Sequence, residues 1–401
     1  MTFFKKGTDI LSPGRLFTLV WLLAIGLTEL KLSRFQQTWS SYSWFTLMVP
    51  LVSFVLGIFI VFVINNNKEL IGVKRIRDSF NDSQIDTKML VLVIVVIFAL
   101  YSISYITTYT MRGFLPVFAK SPEVARMHWG VKGYGTFVLV IPTLLYLCIL
   151  YLFLVKKKML RKLVVAAIFI AAAVTYSMLL NRFYLIVTIV ISIVTIYYKT
   201  NKLSTKNIVI LASILIAVFL GISTIRLSKV AINVIYVFAR MKYGPDYAVF
   251  TEPYMYITMN LENYAHAVSK LTVFTHGFFT SDFLLYATGL KETIAKYINP
   301  VEYPYIITKG YNTYTMFFIY YQDFGLFGVL IIPAILGGVI SNIYYRMRRN
   351  PTISNVSIYG LCVFIILFSF FIPILHLIHF VFNVVLIYLS TWLVERRIKT
   401  D

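Results

Sequence analysis

The sequence is dominated by long stretches that contain no charged residue. These stretches cover residues 35–67, 89–111, 133–155, 163–181, 183–198, 207–225, 324–345 and 350–394, with a shorter one at 16–28. A helix of about 20 apolar residues crosses the hydrocarbon layer of a bilayer, so most of these stretches are long enough for one crossing. Charged residues make up only 13% of the chain. This pattern excludes a water-soluble enzyme and predicts an all-α, polytopic membrane protein.

The charge-free stretches predict about ten transmembrane helices in a single integral membrane domain covering residues 1–401. The predicted spans are 16–30, 43–64, 89–108, 136–155, 163–180, 183–198, 207–224, 325–345, 355–372 and 375–394. Pro373 marks the reversal between the last two, because proline interrupts a helix. Two connections are long: a first outer loop at 109–135, and a large outer loop at 225–313 between spans seven and eight, whose apolar patches predict short helices at the membrane surface.

The distribution of positive charge predicts the orientation of these spans. With ten spans both termini lie on one side, and the segments on that side hold 22 of the 37 lysines and arginines. Cytoplasmic loops are enriched in Lys and Arg, so both termini are expected in the cytoplasm. The net charge of +21 is then an orientation signal, and nucleic acid is not an expected partner. Both cysteines, Cys148 and Cys362, fall within apolar runs, which argues against a disulfide framework or a Cys metal cluster.

Three arginines on the predicted outer face are candidates for binding an anionic group. Arg182 lies in the turn between spans five and six, and only 16 residues separate it from Lys199, which draws it towards the membrane surface. In the first outer loop, SPE at 121–123 predicts the start of a short helix with Arg126 near its end, and Arg112 lies upstream. Arginine is suited to bidentate binding of a diphosphate. Snorkelling to headgroups, or a solvated loop edge, would account for the same cations.

Candidate proton acceptors also fall on the predicted outer face. Glu262 and His266 are four residues apart, so on a helix they share a face, where a carboxylate and an imidazole could deprotonate a sugar hydroxyl. A surface hydrogen bond is the simpler interpretation of that pair. Asp323 falls at the outer end of the eighth span, where either an arginine partner or a role as base would explain it. His376 and His379 begin the tenth span, and helix packing is favoured there over a metal site.

The large outer loop carries a fourth cation, Arg240, and many tyrosines. Tyr247, Tyr254 and Tyr311 could stack on sugar rings, although interfacial tyrosines are also normal in membrane proteins. The sequence contains no Gly-rich phosphate loop, nucleophile elbow or HExxH motif. Neither a cofactor nor a metal is therefore expected.

Two sequence windows resemble the Wzy-type polymerases, the membrane enzymes that join lipid-linked oligosaccharide repeat units of O-antigen, capsule or exopolysaccharide. RGFLPVFAKSPEVAR at 112–126 is similar to the family's outer segment, with its Pro-hydrophobic-Phe core and later Ala-Arg. YNTYTMFFIYYQDFGLFGV at 311–329 is similar to the Asn-Thr-Tyr-Thr and Asp-Phe-Gly stretch that enters a late span. The windows total roughly 35 residues, whereas the resemblance in topology covers nearly the whole chain.

The resemblance implies transfer of a growing glycan from polyprenyl diphosphate to a hydroxyl of the next lipid-linked unit, on the outer face of the bacterial plasma membrane and without a metal. It implies functional roles for Arg126, Asn312, Thr313, Asp323 and Gly325, and less directly for Arg182. The diphosphate is expected to bind Arg112, Arg126, Arg182 and Arg240. The sugars are expected to bind Tyr247, Tyr254, Tyr311 and Asn312. The base is expected among Glu262, His266 and Asp323.

Two other functions remain open at this point. A ligase-like enzyme would share the lipid-diphosphate donor but move the glycan to a different acceptor. A flippase would move the lipid-linked oligosaccharide across the membrane without catalysis, although matched halves and polar mid-membrane residues typical of transporters are absent from the sequence. The expected partners are the polyprenyl-diphosphate-linked oligosaccharide and the bilayer, and a flippase and a chain-length regulator of the same pathway are further candidates.

Overall fold

The computed structural model describes residues 9–78, 85–131, 133–155, 158–200 and 229–395. Within these ranges the chain is helical and has no β-strand; two isolated bridges pair Ser33 with Met241 and Ile85 with Glu395. The α-helices are α1 Pro13–Glu29, α2 Ser41–Asn65, α3 Val73–Asp78, α4 Thr87–Arg112, α5 Pro122–His128, α6 Ile141–Leu154, α7 Met159–Ser177, α8 Phe183–Lys199, α9 Lys229–Phe238, α10 Thr251–Val268, α11 Asp282–Ala287, α12 Lys291–Ile298, α13 Phe318–Arg349, α14 Ile353–Leu367 and α15 Ile378–Val394.

Within the described residues, five helical segments are long and apolar enough to cross a membrane. They are Ser41–Asn65, Thr87–Phe118, Tyr134–Leu154, Met159–Ser177 and Phe318–Arg349. Three shorter apolar helices, α8, α14 and α15, accompany them. The predicted all-α membrane architecture is thereby confirmed. Nine predicted spans overlap a helix of the described part of the chain, and the one at 207–224 lies outside it, so ten crossings remain a prediction.

The chain divides into two compact units, each assembled from separated segments. The first unit combines Met1–Lys68, Ser204–Tyr345 and Ile365–Ile378. The second unit combines Glu69–Leu203, Arg346–Phe364 and His379–Asp401. The chain therefore passes between the units several times, and long apolar helices belong to both.

In the first unit, α10 packs against α1 and α2. Aromatic side chains fill the adjoining core: the Phe17 ring stacks on Phe54 with centroids 4.1 Å apart, and Trp21 lies 5.4 Å from Phe317. The indole Nε1 of Trp21 donates a hydrogen bond to Ser369 Oγ at 2.9 Å, which satisfies the one polar atom of that buried ring. These contacts tie the N-terminal helix to a segment more than 300 residues away.

Helices α2 and α13 of the first unit approach each other through glycine. A Cβ atom at Gly57 would overlap the carbonyl oxygen of Ala334, and one at Gly337 would overlap that of Phe54. Small residues let helix backbones come close in membranes, where dispersion rather than the hydrophobic effect holds helices together. The two glycines therefore set the distance between these helices.

The second unit is a bundle built around α6, which packs against α4, α7 and α8. The start of α4 is fixed by Asp86, whose side chain accepts hydrogen bonds from the backbone N–H groups of Lys88 at 2.9 Å and Met89 at 3.1 Å. Inside the bundle, Thr143 Oγ1 donates to Asn383 Oδ1 at 2.7 Å, joining α6 to α15. This bond between two buried polar side chains thus links two helices of the unit.

Candidate functional site

The predicted large outer loop contains α9, α10, α11 and α12. Of the 18 residues of α10, 13 are buried, so neighbouring segments surround this helix and it does not lie on a surface. Asn263 orders one neighbour: its amide nitrogen donates to the carbonyl oxygens of Tyr311 at 2.7 Å and Thr313 at 3.0 Å, and its amide oxygen accepts from the N–H of Ile307 at 3.1 Å. A polar helix is thus used to organise the irregular chain before α13.

Glu262 on α10 is the centre of a buried ionic cluster. Its Oε1 lies 2.6 Å from Nζ of Lys31, and its Oε2 accepts a hydrogen bond from the indole Nε1 of Trp39 at 2.8 Å. Nζ of Lys31 also lies 3.2 Å from Glu29 Oε1 and 4.5 Å from the centroid of the Trp39 ring. The Glu262 side chain is only 3% exposed, and burial raises its pKa even though Lys31 and Trp39 act to lower it.

His266 shares the helix with Glu262 but not its partners. Its Nδ1 lies 2.9 Å from the carbonyl oxygen of Tyr305, which can only accept, so Nδ1 carries the proton. The spacing of four did predict one helix for both residues, and α10 confirms that helix. A joint function of Glu262 and His266 remains a prediction, because each side chain binds a different segment.

Asp323 lies at the point where α13 bends, and it holds a turn of the chain. Its side chain is fully buried and accepts hydrogen bonds from the hydroxyl of Thr275 and from the backbone N–H groups of Phe279 at 3.2 Å and Thr280 at 2.5 Å. Both oxygens are therefore occupied by the turn at 275–280. Since no arginine takes part in these bonds, the arrangement supports a positioning role for this carboxylate.

Gly325 makes the bend beside Asp323 possible. Its φ of 60° with ψ of −141° is not helical, and the Phe274 ring occupies the space that a side chain would need. Opposite, Gly277 has φ of 95° and faces the ring of Phe324. Glycine at both positions lets the turn and the bent helix interlock through two aromatic rings.

A second charged cluster follows this turn. Asp282, the first residue of α11, has its Oδ1 2.5 Å from Nζ of Lys291 and its Oδ2 3.7 Å from Nδ1 of His376. Nδ1 of His376 also lies 3.1 Å from the carbonyl oxygen of Phe279. The cluster brings α11, α12 and the segment before α15 together within the first unit.

The predicted sugar-binding residues differ in their exposure. Tyr254 is buried: its hydroxyl accepts from the N–H of Leu32 at 3.0 Å and donates to Gln36 Oε1 at 2.7 Å. Tyr311 is also buried, in the same apolar cluster. Tyr247, at 61% exposed, and Asn312 present their side chains to the surroundings. Only these last two are open to a sugar as they stand.

Arg240 lies in a segment of the first unit that pairs with the α1–α2 connection. Its carbonyl oxygen accepts from the N–H of Arg34 at 2.9 Å, and its guanidinium lies 5.3 Å from the centroid of the Phe35 ring. The side chain is exposed. A cation on an aromatic face keeps its N–H groups available to an anion.

The other three predicted arginines belong to the second unit. The predicted short helix with Arg126 near its end is confirmed as α5. Nη1 of Arg126 lies 3.4 Å from the carbonyl oxygen of Leu180, in the turn that carries Arg182 immediately before α8. Arg112 is engaged elsewhere, because it donates to the carbonyl oxygens of Trp129 at 3.2 Å and Gly130 at 2.5 Å.

Sequence reasoning missed the partners of the acidic residues. Lys31, Trp39 and Lys291 were not predicted, and His376 was assigned to helix packing. Lys31 is 231 positions from Glu262 and belongs to no local motif, so the sequence does not pair the two residues. The position of Glu262 in the middle of a polar helix does indicate that its carboxylate needs a cationic partner.

Comparison with known proteins gives no further assignment: no protein-family model, no curated protein and no solved structure matches the chain.

Proposed function

We propose that the protein polymerises polyprenyl-diphosphate-linked oligosaccharide repeat units into a surface polysaccharide. The single observation that carries the proposal is the meeting of Arg126 with the turn that bears Arg182, through the carbonyl oxygen of Leu180. Two arginines far apart in sequence are thereby held in one region of one unit. Both had been expected to bind diphosphate, one from its place at the membrane surface and one from a window that resembles the Wzy-type polymerases.

The chemistry needs little more than charge stabilisation and a base. An acceptor hydroxyl loses its proton to a base of the protein, and its oxygen lone pair forms the new bond to the anomeric carbon of the donor. The bond from that carbon to the diphosphate oxygen breaks, and the electron pair leaves with polyprenyl diphosphate. Guanidinium groups stabilise the negative charge that develops on the leaving group.

The proposed setting is supported by the apolar helices and by the distribution of positive charge along the sequence. Apolar helices long enough to cross a membrane support an integral membrane protein. The excess of cations in alternate connecting segments supports cytoplasmic termini, with the reaction on the outer face of a bacterial plasma membrane. The substrate is then already lipid-linked and translocated, which makes a flippase and a chain-length regulator of the same pathway the proposed partners.

Purified full-length protein in proteoliposomes, supplied with a lipid-linked repeat unit, tests the proposal. We expect a ladder of glycans that differ by one repeat unit. Arg126→Ala should slow elongation by about 100-fold, the usual loss when one group that stabilises developing charge is removed. Lys120→Ala is a matched control, because Lys120 is an exposed cation of the same segment, and it should elongate at a rate within twofold of the unmodified protein.

Other products would assign another function. A single transfer to a different lipid or protein acceptor would indicate a ligase-like enzyme. Unaltered substrate that has only changed sides of the membrane would indicate a flippase. Normal ladders from Arg126→Ala would remove this arginine from the diphosphate site.

A further inference from the structure

The connection that follows α4 exposes large apolar side chains. It consists of a 3₁₀ turn, Pro116–Phe118, and then α5, and these two segments pack against each other. The Phe118 ring is 78% exposed, and the Met127 side chain is 71% exposed. Val124, three residues before Met127, is also exposed and shares its face of α5. Exposed apolar side chains grouped in this way mark a surface that another apolar molecule can cover.

The same connection is attached to the turn that bears Arg182. The N–H group of Val117 donates a hydrogen bond to the carbonyl oxygen of Met178 at 3.1 Å. Two residues later in that turn, the carbonyl oxygen of Leu180 lies 3.4 Å from Nη1 of Arg126. Both attachments are made within three consecutive residues, so the apolar 3₁₀ turn and the arginine are held at one place in the second unit.

The cations at this place are available to an anion. Arg126 is exposed and Arg182 is partly exposed. Neither forms an ion pair with a carboxylate in the described part of the chain. A guanidinium without an acidic partner keeps N–H groups that suit phosphate oxygens. The surface therefore combines positive charge with exposed hydrocarbon, and this combination fits a lipid with an anionic head.

The charge of the head distinguishes between two classes of lipid. A polyprenyl diphosphate that carries a glycan has two negative charges, one on each phosphoryl group, whereas the phosphodiester of a phospholipid has one. Two arginines held at one turn match the charge of the diphosphate. A nucleotide diphosphate would match the charge equally well, but its base and ribose would find no hydrogen-bond partner in the side chains of Phe118, Val124 and Met127.

We propose that Phe118, Val124 and Met127 form a subsite for the polyprenyl chain of the lipid-linked donor, beside the arginines that bind its diphosphate. This inference rests on the proposed polymerase function and names the residues that recognise the lipid. The chain takes no part in the bond changes at the sugar. Its contacts are therefore the same in the bound substrate and in the transition state, so they contribute to binding and not to the rate of the chemical step.

Soluble probes separate binding of the head from binding of the chain. Farnesyl diphosphate has a short polyprenyl chain, and inorganic pyrophosphate is the head alone. The full-length protein in phosphatidylcholine nanodiscs should bind farnesyl diphosphate about 100-fold more tightly than pyrophosphate, because the chain covers apolar surface. Phe118→Ser and Met127→Ser should each weaken binding of farnesyl diphosphate about tenfold and leave binding of pyrophosphate unchanged. Arg126→Ala should weaken binding of both probes.

Met159→Ser is the matched control. Met159 is also 71% exposed, but it begins α7, about 27 Å along that helix from the turn that bears Arg182. This variant should bind both probes normally, and it also corrects for farnesyl diphosphate that dissolves in the nanodisc lipid. In the elongation assay, Phe118→Ser should raise the apparent KM for the lipid-linked repeat unit about tenfold and leave kcat within twofold. Thermal unfolding midpoints report the folding of each variant.

The outcomes distinguish the two proposals. If Phe118→Ser and Met127→Ser bind farnesyl diphosphate as tightly as the unmodified protein, the chain subsite is wrong, whether or not a ladder forms. If binding changes as expected but the unmodified protein makes no ladder, only the polymerase function fails, because a ligase-like enzyme or a flippase would bind the same lipid diphosphate. Displacement of farnesyl diphosphate by phosphatidylglycerol in the nanodiscs would assign this surface to bilayer lipids and overturn the inference.

Discussion

Replacing Lys31 should destabilise the first unit far more than replacing its partner Glu262. Lys31→Met leaves a carboxylate that is 3% exposed with Trp39 as its remaining side-chain partner, whereas Glu262→Gln leaves an ammonium that is 19% exposed and still 3.2 Å from Glu29. Removing one partner of a buried pair costs about 3 kcal/mol or more. Glu262→Gln keeps an oxygen for the indole N–H and should cost about 1 kcal/mol.

The difference should depend on pH in one direction. Because burial raises the pKa of Glu262, the folded state holds this proton more tightly than the unfolded state, so stability declines as the pH rises through the folded pKa. The Lys31 ammonium lowers that pKa, and its removal raises it further. The destabilisation by Lys31→Met should therefore be small at pH 5, where the carboxyl is protonated at little cost, and should increase towards pH 8.

Thermal unfolding in detergent, followed by tryptophan fluorescence, measures these effects. At pH 8 the midpoint for Lys31→Met should fall by roughly 6–12 °C, at 2–4 °C per kcal/mol. Lys270→Met is the control, because Lys270 is an exposed lysine two residues after the end of α10. The unfolding midpoint of this variant should hardly change. Equal losses for Lys31→Met and Glu262→Gln, unchanged between pH 5 and pH 8, would refute a buried ion pair as the origin of the effect.

Two further predictions concern the close approach of α2 and α13 and the bend of α13. Gly57→Ala should lower the free energy of unfolding by about 2 kcal/mol, because the new methyl group overlaps the carbonyl group of Ala334. Gly26→Ala is the control: Gly26 lies in α1 with open space around it, so this variant should be neutral or stabilising. The thermal unfolding midpoints of the two variants measure both effects. Asp323→Ala should loosen the turn at 275–280, because it leaves the backbone N–H groups of Phe279 and Thr280 without an acceptor. Limited proteolysis should then cleave this turn faster than in the unmodified protein. An unchanged cleavage rate would show that other contacts hold the turn.

The sequence was sufficient to locate most helices, because the length of an apolar stretch can be determined from neighbouring residues alone. The predicted span at 43–64 is α2 within two residues at its start and one at its end, and the predicted short helix after Ser121 is α5. At α13 the prediction began the span at residue 325, yet the helix begins at Phe318 and contains a non-helical Gly325. Gly325 thus separates a short helical segment that begins at Phe318 from the apolar helix that continues to Arg349, and the predicted start coincides with this kink.

The candidate site was less predictable because its partners are distant in sequence. Glu262 and Lys31 are 231 positions apart, and Asp282 and His376 are 94 apart, so neither pair forms a motif. Spacing on one helix suggested that Glu262 and His266 act together. In the structure Glu262 binds Lys31 and Trp39 whereas His266 contacts the carbonyl oxygen of Tyr305, so a joint function of the two residues remains a prediction.

Asp323 shows what a local motif can and cannot establish. The Asp-Phe-Gly stretch indicated an important neighbourhood, and the structure does place there a bent helix, an interlocked turn and a charged cluster. It could not indicate which segment the carboxylate holds, because the donors of that turn lie 43 to 48 positions away in the sequence. Both oxygens of Asp323 are occupied by donors of the turn that carries the Phe279 carbonyl. The motif residue therefore positions the turn at 275–280, and a chemical role for its carboxylate remains a prediction.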